Sequence, residues 1–321
     1  MKNWFIGAAL LAFVATSADA QTTKLKYAFV NPVGSHFGVA ATAFKQSVEK
    51  DSDGRIKVDI FPGGSLGGER EIVESVQLGT IDMAMTSTSV VGNFVPEVLV
   101  FDIPFLFRDT AHARAVVDGP VGQDILKKFA GQNLVGLGYG ENGFRHLTNN
   151  KRVVKAPTDI SGMSIRTMEN PIHVRAFSQL GARPTPIAWP ELYAALQQGV
   201  VDGEENPLSN IITAKFFQVQ KYLALTGHVY APTAILMAPT TWNKLSAEDK
   251  KIIQAGVAKA ISAQRAEVEK LEATGVQTLR SSGMEINEVD KAPFVALLEP
   301  AYAEFAKRFG QKTIDAIRDT K

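Results

Sequence analysis

Residues 163–207 read MSIRTMENPIHVRAFSQLGARPTPIAWPELYAALQQGVVDGEENP. Met163 to Met168 is a short apolar run carrying one charge, Arg166, and reads as a strand. Pro171 to Leu180 has helical spacing, Thr185 to Ala188 is extended, and Pro190 opens a second helix that ends at Gly199. Proline at a helix start and glycine just past its end are the expected asymmetry, because proline lacks only an N–H that would be unbonded anyway. Alternating strands and helices of this kind build an α/β unit around a largely parallel sheet.

Upstream the same rhythm recurs. Lys24 to Val30 alternates and is stopped by Asn31-Pro32; His36 to Lys50 is helical; Arg55 to Phe61 alternates again. Pro62 to Gly68 is a glycine-rich turn, Glu69 to Leu78 a helix, and Ile81 to Met85 a strand. Val98 to Phe107 is apolar except for Asp102 and contains Pro104, so it reads as a buried crossing segment and not as a central strand. Short helices follow at Thr110–Val117 and Gly122–Phe129, then a strand at Leu134–Tyr139 and a polar stretch over Arg145–Lys155. Two tandem α/β units with a first boundary near residue 144 are expected. Downstream, Ser246 with Asp249 three residues on is a helix start. Ile253, Val257, Ile261, Val268, Leu271 and Leu279 share one face, with Gln264 and Gly275 as its weak points. A helix of about 35 residues spans about 50 Å, enough to run across both units.

The 321 residues, 45% hydrophobic and 21% charged, have the composition of a globular chain with room for two cores. A formal net charge of +1 gives no electrostatic case for nucleic acid or an anionic membrane. The absence of cysteine excludes disulfides, thiol catalysis and Cys-ligated metal. Lys2, the apolar run Trp4–Ala15 and the small residues Ala18 and Ala20 match a secretory signal peptide over residues 1–20, cut after Ala20. The expected location is the periplasm, where ATP- and NAD-dependent chemistry lacks its cofactor supply.

Five scattered histidines (His36, His112, His146, His173, His228) show no paired-ligand spacing, so neither a metal nor a cofactor is expected. Gly63-Gly64-Ser65-Leu66-Gly67 matches the GxSxG elbow of serine hydrolases, but the strand before it has a charged face (Arg55, Lys57, Asp59) and Pro62 breaks the turn. The glycines between Gly136 and Gly143 lack the helix that would hold a phosphate. Three polar groups have no easy place in a core: Arg145 in Asn142-Gly143-Phe144-Arg145-His146, Arg166 inside its apolar strand, and Asn206 before Pro207. A guanidinium in a strand is costly to bury unless paired, and a carboxylate is its best-matched partner. A ligand acid and an internal salt bridge with Glu204 or Glu205 remain equal readings at this point.

Taken together, these segments resemble the solute-binding proteins of TRAP (tripartite ATP-independent periplasmic) transporters, the dicarboxylate-binding-protein family. The resemblance rests on Phe61-Pro62-Gly63-Gly64-Ser65-Leu66-Gly67-Gly68-Glu69, Gly79-Thr80-Ile81-Asp82, Pro104-Phe105-Leu106-Phe107 and, most specifically, Pro184 through Pro207, and covers nearly the whole mature chain. It implies a two-domain periplasmic-binding-protein-like α/β fold with a ligand cleft between the domains, closed by a hinge, and a long helix crossing both. The domains would comprise residues 21–144 with 232–271, and 145–231 with 272–321. It implies that Arg166 clamps a ligand carboxylate bidentately, that Arg145 and Asn206 add contacts to that carboxylate, and that Asn31, Glu69, Trp189 and His228 line the cleft. Thr86, Thr88 and Asn170 stand where they could meet ligand hydroxyls without repelling a second carboxylate. The expected ligand is a small monoacid or diacid of about four to seven carbons, hexuronates and aldonates being favoured over sialic acid. The expected partners are the small and large membrane subunits of the transporter, with no nucleic acid and a monomeric binding protein. A sensor subunit sharing the binding fold, and a periplasmic esterase using Ser65, are the competing expectations.

Overall fold

The computed structural model describes residues 22–321. The expected leader with its cut after Ala20 lies outside the described residues. Among the described residues no helix is long and apolar enough to cross a membrane.

Nine strands form one sheet: β1 (Thr23–Ala28), β2 (Ile56–Phe61), β3 (Met83–Ser87), β4 (Val135–Asn149), β5 (Ser164–Thr167), β6 (Arg183–Pro186), β7 (Gly203–Asn206), β8 (Tyr222–Met237) and β9 (Glu285–Glu288). Their order is β2-β1-β3-β8-β4-β7-β5-β6, with β9 beside β8. The triplets β2-β1-β3 and β6-β5-β7 are each wholly parallel and mark the two lobes. Between them β4 and β8 pair antiparallel from Val135↔Met237 to Asn149↔Tyr222 and pass through both lobes. The sheet is therefore parallel only within each lobe, and an antiparallel pair joins them.

The strand expected to stop at Tyr139 instead continues straight through Arg145 to Asn149. Its register slips at Gly136/Gly138, Glu141/Gly143 and Arg145/Leu147. Such irregularities bend a strand and explain why Pro232, opposite Glu141, is tolerated in β8. The apolar segment 98–107 begins as a buried 3-10 helix, Pro96–Asp102, and is not a strand.

The first lobe is held by Leu25, Tyr27, Val58 and Met85 of the sheet against Phe37, Phe44 and Val48 of the helix His36–Asp51. Tyr27 and Phe44 meet edge to face at 5.4 Å. The helix Ala247–Ser281 adds Ile253, Val257 and Ala260 to that core at one end. At its other end Leu279 joins Leu192, Leu208, Ile211 and Phe216 of the second lobe. It thus spans both lobes, capped by the Ser246 hydroxyl, which accepts from Asp249 N–H at 3.0 Å. Glycine permits its close approach at both ends: a Cβ on Gly256 would sit 2.5 Å from Val48, and one on Gly275 would sit 2.9 Å from Leu208. Gln264 is a fixed point and not a weak one. Fully buried, its side-chain oxygen accepts from Glu141 N–H (3.1 Å) and from the Thr233 hydroxyl (3.2 Å), tying β4 to β8 where they cross.

A third core runs along the opposite sheet face beneath both lobes, joining Ile72 and Phe101 to Ile165, Phe177 and Phe305. The tail, expected within the second lobe, also reaches the first. The Arg108 guanidinium donates to the carbonyls of Arg318 (2.5 Å) and Thr320 (2.7 Å).

Candidate functional site

Chain segments at the carboxyl ends of both parallel triplets meet at the seam between the lobes. Asn31 follows β1, Thr86 and Ser87 end β3, Arg166 lies near the end of β5, and Asn206 ends β7. Open α/β sheets bind ligands at this end of their strands, where side chains converge and backbone turns away. The lobes touch across the seam: the Asn93 amide donates to Glu169 O at 2.6 Å, and that of Asn31 donates to Asn210 Oδ1 at 3.0 Å. The arrangement is a closed one.

The two arginines have opposite surroundings. Arg145, 1% exposed, is neutralised inside the protein. Its Nε donates to Glu205 Oε2 (2.5 Å), and its Nη2 donates to Glu205 Oε1 (2.9 Å) and to the Glu205 carbonyl. Burial works against its charge, but Glu205 more than compensates and raises its pKa. For Glu205 burial alone would raise the carboxyl; the Arg145 charge and the bond from His228 hold it well below the usual range. Register sets this pairing, because Leu147↔Glu205 places β7 against β4.

Arg166, 2% exposed, has no such partner among the described residues. Its Nε donates to Ile187 O at 2.8 Å, while its buried Nη1 bonds to nothing among the described residues. Burial, and then the like charge of Arg145, push its pKa down to about 10 against the pull of Glu204, Glu205 and Glu69. A buried guanidinium edge without an acceptor is costly. An anion delivered to that edge removes the cost. Arg166 lines a narrow cavity with Glu69, Val90, Met168 and Trp189, so the salt-bridge reading holds for Arg145 and the free fork belongs to Arg166.

Glu204, fully buried beside them, keeps its proton to higher pH than an ordinary carboxyl. Burial pushes it up to about 7, with the Glu205 charge adding, against the bond from Asn206 and the two arginines. The hydrogen bonds agree. The Thr148 hydroxyl lies 3.0 Å from Glu204 Oε1 and 2.9 Å from Gln220 Oε1, and a single hydroxyl proton cannot serve both. A proton on Glu204 Oε1, donated to Thr148, resolves this, and Thr148 then donates to Gln220. Because the folded pKa lies above the unfolded one, this group's stabilisation is complete below about pH 4 and is lost as pH rises through 7. Glu204→Gln, which mimics the neutral acid, is therefore expected to match the parent near pH 4 and to exceed it at pH 8 by up to about 3 kcal/mol in urea unfolding.

The remaining expected residues fall around this pair. Glu69 Oε1 accepts from the Thr86 hydroxyl (2.8 Å) and Ser87 N–H (2.6 Å); among the described residues nothing donates to its other oxygen. Burial raises its pKa, and those two bonds oppose the rise. Trp189 packs on Phe216 at 5.5 Å and walls the cavity. His228 donates from Nε2 to Glu205 (3.1 Å) and accepts at Nδ1 from Thr226 (2.7 Å), so it braces the Arg145 pair. Thr88 turns away and donates to Pro232 O at 3.1 Å. The Asn170 side chain is already engaged by the protein. Its oxygen caps the helix Pro171–Gln179, and its nitrogen donates to Ser89 O and Asp102, both at 3.0 Å. Asp102 also takes the Ser89 hydroxyl at 2.5 Å, which accounts for an acid in an apolar segment. Ser65 sits exposed on its turn, with no histidine bonded to its hydroxyl among the described residues. No site role was expected for Asn210, His173 or Asp102. Asp102 as the lone charge in residues 98–107 was the available signal.

The family described as bacterial extracellular solute-binding protein, family 7 (DctP), matches residues 27–308. A solute-binding protein of Verminephrobacter eiseniae is 48% identical over 95% of this chain and 91% of its own. A solved TRAP periplasmic solute-binding protein of Bordetella, with density assigned as pantoate, superposes with a TM-score of 0.92 at 53% identity, covering 94% of this chain and all of that one. Another, from Polaromonas and bound to D-erythronate, gives 0.92 at 51% identity over 93% of this chain and 99% of the other.

Proposed function

The chain belongs to the family 7 bacterial extracellular solute-binding proteins, and from that premise we propose that it captures a short, hydroxylated monocarboxylic acid on Arg166. At the coarser level it is a periplasmic binding protein and not an enzyme, and it serves a TRAP transporter with a small organic acid. The observation that carries the finer reading is the buried Nη1 of Arg166, unpartnered among the described residues, in a cavity shared with Glu69. A carboxylate on that edge gains charge-assisted bonds, and Asn206, at the end of the adjacent strand β7, adds an amide donor on closure. At the other side of the cavity the free oxygen of Glu69 accepts a ligand hydroxyl. A second carboxylate there would meet like charge, so hydroxy acids of four to six carbons, in the range of erythronate and pantoate, are favoured over diacids. Hexuronates and aldonates keep the same one-acid, many-hydroxyl pattern. Closure hinges on β4 and β8, with the lobes divided near residues 144 and 231. The mature protein begins at Gln21 and acts as a monomer.

Thermal-shift and calorimetric titration with D-erythronate, pantoate, D-glucuronate and succinate tests this. At least one hydroxy monoacid is expected to bind 1:1, and a ligand at about 1,000 times its Kd adds about 4 kcal/mol of stability. Tighter binding of succinate than of every hydroxy acid, or no response to any acid, would overturn the reading.

A further inference from the structure

One hydrogen-bonded chain of amides crosses the seam. Asn31, on the first lobe, donates from Nδ2 to Asn210 Oδ1 at 3.0 Å. Asn210, on the second-lobe helix Leu208–Thr213, donates from Nδ2 to Asn206 Oδ1 at 3.0 Å. Asn206 in turn donates to Glu204 Oε2. All four side chains are at most 4% exposed.

The direction of this chain has a consequence for the anion site. With its oxygen held by Asn210 and one N–H held by Glu204, Asn206 has only its second N–H left to offer. Turned the other way, its oxygen would face Glu204 Oε2 and its nitrogen would face the Asn210 nitrogen, placing acceptor on acceptor and donor on donor. Glu204 and Asn210 together thus hold Asn206 with an N–H to spare, the polarity an anionic ligand needs. The same residue bonds to Asn31 across the seam, and that bond exists only while the lobes are shut.

We propose that Asn210 is a positioning residue that couples lobe closure to carboxylate recognition, orienting Asn206 with its amide nitrogen and latching Asn31 with its amide oxygen. The proposal rests on the Arg166 reading above for its ligand, but the latch itself belongs to the protein alone. Asn210 is not among the residues lining the Arg166 cavity, and among the described residues its side chain bonds to Asn31 and Asn206 and not to Arg145 or Glu205, so its effect is on how long the closed form lasts. Its removal should speed ligand release with little change in capture.

The experiment uses the whole mature chain and has two arms. In the first, stopped-flow kinetics with D-erythronate compare the parent with Asn210→Ala and with Asn210→Asp, which keeps the acceptor for Asn31 but cannot donate to Asn206. The dissociation rate is expected to rise about tenfold or more in both, as fits the loss of one or two buried hydrogen bonds, with the association rate within about twofold. A residue that merely supported folding would lower the fraction of active protein and leave the dissociation rate of the active molecules unchanged. In the second arm, nitroxide labels at Leu78→Cys and Gln198→Cys in this cysteine-free chain report the lobe separation without ligand. Asn210→Ala is expected to move that population toward longer distances. An unchanged dissociation rate together with an unchanged distance distribution would overturn the proposal. Failure of the parent to bind D-erythronate would count against the ligand reading, while the distance measurement would still decide the latch.

Discussion

Replacing Arg166 with alanine is expected to weaken binding of the transported acid by about a hundredfold to ten-thousandfold, since two charge-assisted hydrogen bonds worth about 1.5–3 kcal/mol each are lost. Calorimetry of the variant against the parent reads this directly. The same substitution should leave the ligand-free protein as stable as the parent or more so, because it removes a buried cation whose Nη1 has no partner among the described residues and whose charge is opposed by Arg145. Arg166→Lys keeps the charge but not the planar fork, and is expected to recover only part of the affinity. Loss of stability with affinity retained would mean that Arg166 is a structural cation after all.

The second large effect concerns folding. Glu205→Gln takes the paired carboxylate from buried Arg145 and leaves one acceptor oxygen where Arg145 and His228 had two. Breaking one side of a buried pair costs about 3–5 kcal/mol, and urea unfolding of the ligand-free variant at pH 7 should show a loss of that order. The pH dependence has the opposite sign to that of Glu204. Glu205 is held below its unfolded pKa, so its stabilisation is present above about pH 4 and fades as pH falls further. The difference between parent and Glu205→Gln should therefore shrink in acid, while that for Glu204→Gln grows toward alkaline pH. Adjacent glutamates on one strand respond oppositely because one faces Arg145 and the other faces Thr148 and Asn206. A variant unfolding at the parent's midpoint would show that Arg145 does not depend on Glu205.

Local features of the fold were legible wherever a local rule decides them. The helix over Glu69–Leu78 falls where the pattern placed it, closed by Gly79 in a left-handed turn (φ 75°), and the Ser246 cap opens the long helix as expected. Five of the six strands of the triplets lie within a residue or two of where the sequence placed them, and the sixth, β7 over Gly203–Asn206, was not expected. What was not legible is non-local. Residues 222–237 carry no clean alternation and hold Pro232, yet they form the strand that joins the lobes, because a register slip in β4 accommodates the proline. The polar stretch after Tyr139 stays in the sheet because β7 supplies Glu205 to Arg145.

The site shows the same division. Arg145 and Arg166 look alike in the sequence, each a guanidinium in an apolar setting. Glu205, 60 residues beyond Arg145, separates their roles, and only the β4–β7 pairing brings it there. Asn170 sits among ligand-like residues in the sequence, but its amide is engaged by a helix start and by Asp102. Asn210 gave no signal, because an asparagine inside a helix is informative only once its neighbours across the seam are known.

A crystal structure of the mature protein with whichever acid gives the largest thermal shift tests the account most directly. It should show a carboxylate oxygen within about 3 Å of Arg166 Nη1, the Asn206 amide nitrogen beside it, and Arg145 still paired with Glu205. A complex in which Arg166 has turned to Glu204 or Glu205 while the acid is held elsewhere would contradict it.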